Sequence, residues 1–222
     1  MADDGTSSRL ILASSSPRRR QILALLGVPY EVIVAAVAEQ PLPGEGPEAA
    51  ARRVALAKAQ AAAARRGTGV VVGADTIVVL DGLILGKPVD AGEATRMLRA
   101  LRGRCHAVIT GVAVLNLDTC HQEVSAPTTE VCMRRYSEAE IAAYVAGGEP
   151  FDKAGAYAVQ SAIFHPAATV RGCYLNVVGL PLCAVVASLC AVGFAVPPLA
   201  PARLADVCRS CLRRDILVRG CT

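Results

Sequence analysis

Hydrophobic and polar positions follow two periods along this chain, and the breaks between them divide it into strands and helices. Residues 10–12, Leu-Ile-Leu, read as a short apolar strand running into three serines. Ser16 suits a helix N-cap and Pro17 the first helical position, and the helix stops near Gly27. Residues 30–37 read as a second strand and 40–47 as a loop rich in proline and glycine. Pro47 opens a long alanine-rich helix, with Glu48 in its first turn and Arg65 and Arg66 in its last, as the helix dipole favours. Residues 70–80 are β-branched and strand-like, Asp81-Gly82 is a hairpin turn, and 83–85 form the returning strand.

Further on, residues 90–101 predict a helix, 107–117 a strand buried on both faces, and 124–135 another strand. Ser137 and Glu140 have the spacing of a capping box, opening a helix that Gly147-Gly148-Glu149-Pro150 ends. Residues 156–159 and 174–178 read as short strands, and 182–194 as a buried helix led by Pro181. Strands alternating with helices, together with hairpins, predict an α/β fold with a mixed sheet. Residues 1–8 are a polar extension, 9–196 the folded domain, and 197–222 a tail expected to be poorly ordered.

Composition narrows the function. The 222 residues are 53% hydrophobic and 19% charged, which fits one globular domain or two small lobes and excludes general disorder. Aromatics are 4% and tryptophan is absent, which argues against a base-stacking platform for nucleic acid. A net charge of +4 suits an anionic small molecule. The uncharged stretch 177–196 could span a bilayer, but Gly179 and Pro181 interrupt it, so a buried helix and no membrane partner are expected. No signal peptide is read at the N-terminus. Nine cysteines without framework spacing point to a reducing, cytoplasmic setting with mostly buried thiols. Cys208 and Cys211 alone cannot complete a zinc site, and His106, His121 and His165 lack zinc spacing and receive no role.

Four short segments and one lysine could carry chemistry. Ser14, Ser15 and Ser16 end a strand, and Arg18 and Arg19 fall in the first helical turn, where cations oppose the dipole unless an anion binds. The segment is either a phosphate site or a solvated helix start. Asp75 sits within an apolar strand beside Gly73 and Ala74, where an unpaired carboxylate is costly, so a catalytic carboxylate is the better reading. Lys87, between Gly86 and Pro88, could meet a phosphate at a cleft. The loop 148–155 gathers Glu149, Asp152 and Lys153 between chain breakers, ahead of Tyr157 and Gln160. Lys58, among alanines, reads as part of a solvated face or of the same site. Hydrolase elbow, Walker loop and dinucleotide fingerprint are all absent.

Ser14-Ser15-Ser16-Pro17-Arg18-Arg19, Gly73-Ala74-Asp75-Thr76, Gly86-Lys87-Pro88, Asp152-Lys153-Ala154-Gly155-Ala156-Tyr157, Gln160 and Asn176-Val177-Val178-Gly179-Leu180-Pro181 occur in that order. This ordered set resembles the Maf family (septum-formation inhibitor-like) of nucleoside triphosphate pyrophosphatases, over about residues 9–193. The resemblance implies two lobes around a deep cleft, similar to inosine triphosphate pyrophosphatases. It implies hydrolysis of a nucleoside triphosphate to monophosphate and pyrophosphate, aided by Mg²⁺ or Mn²⁺ whose ligands stay unassigned. By the same resemblance Asp75 would accept the proton of the attacking water, and Ser14, Arg18 and Arg19 would hold the triphosphate. Lys58 and Lys87 would add positive charge, Glu39 matches an acidic active-site position, and Thr76 and Gln160 would lie near the base.

Arg18, Thr76 and Gln160 match the branch acting on dTTP and UTP, whereas the 7-methyl-GTP branch carries Trp, Gln and Glu there. A neutral amide can pair with a pyrimidine edge. Two alternatives stand beside this: a 7-methyl-GTP pyrophosphatase, and a non-catalytic nucleotide-binding module that would not need Asp75. A homodimer is compatible with the resemblance. The chain departs from the family at Ala158-Val159-Gln160-Ser161, where Gly-Ile-Gln-Gly is usual, and at Phe164-His165-Pro166.

Overall fold

Strands β3 (Val70–Leu80) and β5 (Cys105–Asn116) run antiparallel through the middle of one sheet and carry the rest of the fold. The computed structural model describes residues 9–34, 36–200 and 214–221. Beyond β3 lie β1 (Leu10–Ala13) and β2 (Tyr30–Val32), both parallel to their neighbours. Beyond β5 lie β7 (Thr128–Met133) and β8 (Ala167–Arg171), both antiparallel, giving the order β2-β1-β3-β5-β7-β8. β4 (Leu83–Leu85) pairs with β3, and β6 (His121–Ser125) with β5, so the sheet is mixed as expected.

The strand period sorts side chains between the two faces. Leu10, Leu12, Val70, Val72, Val112 and Val114 pack under α1 (Pro17–Ala24) and α6 (Leu182–Ala191). Ile11, Ala13, Val71, Ala113 and Leu115 face the other way, against α2 (Pro47–Ala63). The far half of the sheet, with Val78, Val108 and Val131, packs on α3 (Ala91–Leu101) and α4 (Glu138–Ala146). These clusters are the cores of two lobes joined by β3 and β5. Burying each such aliphatic side chain contributes roughly 1.5–3 kcal/mol before entropy is counted.

Glycine decides how close α2 comes. A Cβ at Gly73 would stand 2.3 Å from the Ala55 carbonyl oxygen, and one at Gly111 would stand 2.0 Å from that of Ala51. The alanine face of α2 therefore lies flush on β3 and β5, and no larger residue fits at either strand position.

The caps follow the sequence. Ser16 accepts from the Arg19 amide, Asp90 from the Glu93 amide, and Ser137 with Glu140 forms the full capping box. Other segments differ from expectation. The predicted strand 174–178 is helix α5 (Tyr174–Val178), closed by the Gly179 amide donating to the Leu175 carbonyl; burial of Leu175 and Asn176 overrides the β-branched pair. Residues 156–159 form no strand, because Gly155 and Ala156 have positive φ and turn the chain. The predicted strand 124–135 divides at Ala126-Pro127 into parts of β6 and β7. β2 ends at Val32 rather than continuing to residue 37.

The described parts of the tail and the cysteines add contacts that local patterns do not show. Helix α7 (Arg214–Arg219) packs back on α6, Leu199 and Leu217 join the core, and Val196 bridges Cys221. Described parts of the tail are thus docked. Cys105–Cys132 and Cys190–Cys221 are disulfides, so the expectation of mostly buried thiols is corrected. The first joins directly opposed residues of β5 and β7, a register that a separation of 27 residues does not reveal. Cys208 and Cys211 lie outside the described residues. No helix among the described residues is long and apolar enough to cross a membrane.

Candidate active site

The turn from β1 into α1, the middle of β3, the loops around Glu39 and Lys87, and the segment 152–160 enclose one cleft of about 670 Å³. Ser14, Arg18, Arg19, Glu39, Lys58, Asp75, Thr76, Lys87, Asp152, Lys153 and Gln160 all line it. Residues scattered over the sequence are thus gathered by the sheet topology into a single site.

At the floor, Asp75 is 7% exposed and its Oδ1 accepts from Lys58 Nζ at 2.7 Å. The same ammonium meets Glu39 Oε1 at 2.7 Å. Lys58 is 12% exposed at its side chain, so it is no part of a solvated face; it neutralises two carboxylates that would otherwise repel. Partial burial alone would push the Glu39 carboxyl up. The Lys58 hydrogen bond and the charges of Lys58, Lys87 and Arg19 outweigh it and hold that carboxyl below the usual carboxylate range. The close seat of α2 on Gly73 is what brings Lys58 within reach, since Gly73 and Asp75 share one face of β3.

Arg19 is a half-buried cation held at all three of its nitrogens. Its Nε donates to the Gly179 carbonyl at 2.8 Å, Nη2 to Thr76 Oγ1 at 3.0 Å, and Nη1 to Ser14 Oγ at 3.3 Å. Burial lowers its pKa, with the charges of Asp75 and Glu39 acting the other way. Of five guanidinium N–H groups, one on each terminal nitrogen is left uncommitted, which suits a pair of phosphate oxygens. Arg18 reaches across the cleft to Asp152 Oδ2 at 2.9 Å. Asp152 also meets Lys153, whose Nζ donates to the Glu149 carbonyl at 2.6 Å. Burial would raise the Asp152 carboxyl, but hydrogen bonds from Lys153 and Arg18 and their charges bring it below its ordinary value.

The rim is held by short ties. The Gly155 amide donates to the Gly86 carbonyl at 3.0 Å, fixing the loop that carries the exposed Lys87. The Ala158 amide donates to Tyr144 Oη at 3.0 Å, and Tyr157 Oη bonds His106 Nε2 at 2.7 Å, so the turn leading to the exposed Gln160 is anchored from beneath. Ser161 donates to Glu149 Oε2 at 2.8 Å. The arrangement offers a cationic cradle, a fixed buried carboxylate and a solvent-facing amide.

The family profile described as Maf-like protein matches residues 9–192. The chain belongs to the Maf family. It is 49% identical over 185 residues to the dTTP/UTP pyrophosphatase of Geobacter sulfurreducens, covering 83% of this chain and 97% of that one. It is 48% identical over 204 residues to the dTTP/UTP pyrophosphatase of Thermomicrobium roseum, covering 91% and 92%. Among solved structures, the Ham1 protein of Staphylococcus aureus superposes with a TM-score of 0.42 at 17% identity, over 56% of this chain and 71% of that one, too loosely to bear on function.

Within this Maf chain, sequence reasoning overlooked the partners that hold the cradle. Gly179, whose carbonyl takes Arg19, belongs to a motif without an assigned role, and Thr110 stood unremarked. A polar residue inside a strand buried on both faces was the available signal for Thr110. Thr76, expected near the base, lines the cleft and bonds its hydroxyl to Arg19 and Thr110. His106 pairs with Tyr157 under the cleft rather than standing idle.

Proposed function

We propose that this Maf protein hydrolyses dTTP and UTP to the nucleoside monophosphate and pyrophosphate. The observation that carries the reading is the bridge of Lys58 between Asp75 and Glu39 in the cleft that also holds Ser14, Arg18, Arg19 and Lys87. A buried carboxylate lines a cleft that also gathers the cations Arg18, Arg19, Lys58, Lys87 and Lys153. The naming of the two relatives above as dTTP/UTP pyrophosphatases supports the substrate.

In this reading the triphosphate lies along Ser14, Arg18, Arg19 and Lys87. Asp75 orients a water and accepts its proton as the water oxygen bonds to the α-phosphorus. The bond from that phosphorus to the bridging oxygen breaks, and pyrophosphate leaves with the electron pair. Lys58 keeps Oδ1 of Asp75 occupied, which leaves Oδ2 to take the proton. The preorganised guanidinium of Arg19 meets the charge that grows on the phosphate oxygens.

Glu39 is a hard oxygen donor lining the cleft that Lys58 meets only at Oε1, and a carboxylate completed by phosphate oxygens and waters is what Mg²⁺ or Mn²⁺ accepts. It is the residue that would hold the cation. When bound, the cation polarises phosphate oxygens as a Lewis acid. Gln160, whose exposed amide offers both a donor and an acceptor, would read the pyrimidine edge.

Pyrophosphate release from dTTP, UTP, CTP, GTP and 7-methyl-GTP, with Mg²⁺ or Mn²⁺, tests the reading. Turnover concentrated on dTTP and UTP is expected. A preference for 7-methyl-GTP would overturn the substrate assignment, and no release from any nucleotide would overturn the reaction.

A further inference from the structure

A line of hydroxyls runs from the half-buried Thr76 at the cleft to Thr110 in the core. Thr110 is fully buried on β5, directly opposite Thr76 of β3, and does not line the cleft. Its Oγ1 lies 2.9 Å from the Asn176 carbonyl oxygen and 3.0 Å from Thr76 Oγ1. A hydroxyl has one proton. The carbonyl can only accept, so the Thr110 proton goes there; Thr76 then donates to Thr110 at 3.0 Å, in preference to its longer contact of 3.4 Å with the Gly179 carbonyl oxygen, which already takes Arg19 Nε. Thr76 can then only accept from Arg19 Nη2, at 3.0 Å. The chain has one polarity: Arg19 to Thr76, Thr76 to Thr110, Thr110 to the Asn176 carbonyl.

Both ends are fixed by the same segment. Asn176, 0% exposed, donates from Nδ2 to the Val108 carbonyl at 2.9 Å and to Thr129 Oγ1 at 3.0 Å, clamping α5 to β5 and β7. Three residues on, the Gly179 carbonyl takes Arg19 Nε. Gly179 has φ 125°, a conformation other residues resist, and that turn presents its carbonyl to Arg19. Hydrogen bonds joined head to tail in a low-dielectric interior strengthen one another.

We propose that Thr110 is a positioning residue for Arg19: acting through Thr76, and anchored by Asn176, it aims the guanidinium at the triphosphate without touching the ligand. This rests on the reading of the cleft as a triphosphate site. In this chain the Thr76 hydroxyl gives its proton to Thr110 and accepts from Arg19.

The test compares Thr110→Val, which keeps the volume and removes the hydroxyl, with Thr110→Ser, which keeps the hydroxyl. Steady-state kinetics on UTP and dTTP are read beside calorimetric binding of inorganic tripolyphosphate and thermal melting. Thr110→Val is expected to raise KM about tenfold, by the same factor on both nucleotides, and to weaken tripolyphosphate binding about tenfold. Thr110→Ser is expected to restore both to near wild type. Should Thr110→Val not fold, Thr110→Ala is read the same way. A folded Thr110→Val protein with unchanged tripolyphosphate affinity would overturn the proposal, as would a KM change that differs between UTP and dTTP. Weakened binding in a protein without turnover on any nucleotide would uphold the positioning role while removing the hydrolase reading. Wild-type protein that binds no tripolyphosphate would overturn both.

Discussion

Lys58 Nζ stands 2.7 Å from Asp75 Oδ1 because the helix that carries Lys58 rests on strand positions without side chains. Gly73→Ala places a methyl group 2.3 Å from the Ala55 carbonyl oxygen, so α2 must lift. Overpacking of this kind costs about 1–3 kcal/mol. The variant is expected to lose that much stability in urea and to lose turnover on UTP as Lys58 draws away from Asp75. Unchanged stability would mean that the seat of α2 does not depend on this glycine.

Asp75→Asn removes the proton acceptor but keeps the shape and a hydrogen-bond acceptor for Lys58. Loss of a general base costs about 10²–10⁴-fold in rate. The expected result is a fall of that order in kcat with a melting temperature close to wild type. Turnover near wild type in the folded variant would remove Asp75 from the chemistry.

His106 gives the protein an acid-sensitive core. Burial lowers its pKa from an ordinary 6.5 to about 4, and it pairs with Tyr157 in the neutral form. Above 6.5 the ring is neutral whether the chain is folded or not. Between 6.5 and about 4 only the unfolded chain binds the proton, so stability falls as pH falls, and below about 4 the loss saturates. The full contribution is roughly 3 kcal/mol. Urea denaturation across this window is expected to show the slope in wild type and a shallower one in His106→Gln. Equal slopes would assign the acid sensitivity elsewhere.

The Cys190–Cys221 disulfide ties α6 to the end of the chain across a separation of 31 residues. Closing a loop of that length contributes roughly 3–4 kcal/mol in the chain-entropy description. Cys221→Ser is expected to lower the melting temperature without changing KM for UTP, since neither cysteine lines the cleft. A changed KM would link the docked tail to the site.

Local signals made much of the fold legible. Ser16 with Pro17, Asp90, and Ser137 with Glu140 each mark a helix start that the structure keeps, because capping is settled by neighbouring residues. Asp81-Gly82 likewise marks the β3 to β4 hairpin. What stayed hidden is decided at a distance. Val177-Val178 prefers a strand, yet tertiary burial makes it helix. Cys105 meets Cys132 only through strand register. The charged cleft residues are legible one by one, but the sharing of Lys58 between Glu39 and Asp75 depends on Gly73 and Gly111 admitting α2. Thr110 could be seen as a polar residue in an apolar strand, though not as the partner of Thr76.

Hydrolysis of UTP in water enriched in the heavy oxygen isotope, followed by mass measurement of both products, tests the central claim most directly. Attack at the α-phosphorus, with Asp75 taking the proton, predicts one heavy oxygen in the uridine monophosphate and none in the pyrophosphate. Label in the pyrophosphate would place the attack on the β-phosphorus and contradict the account.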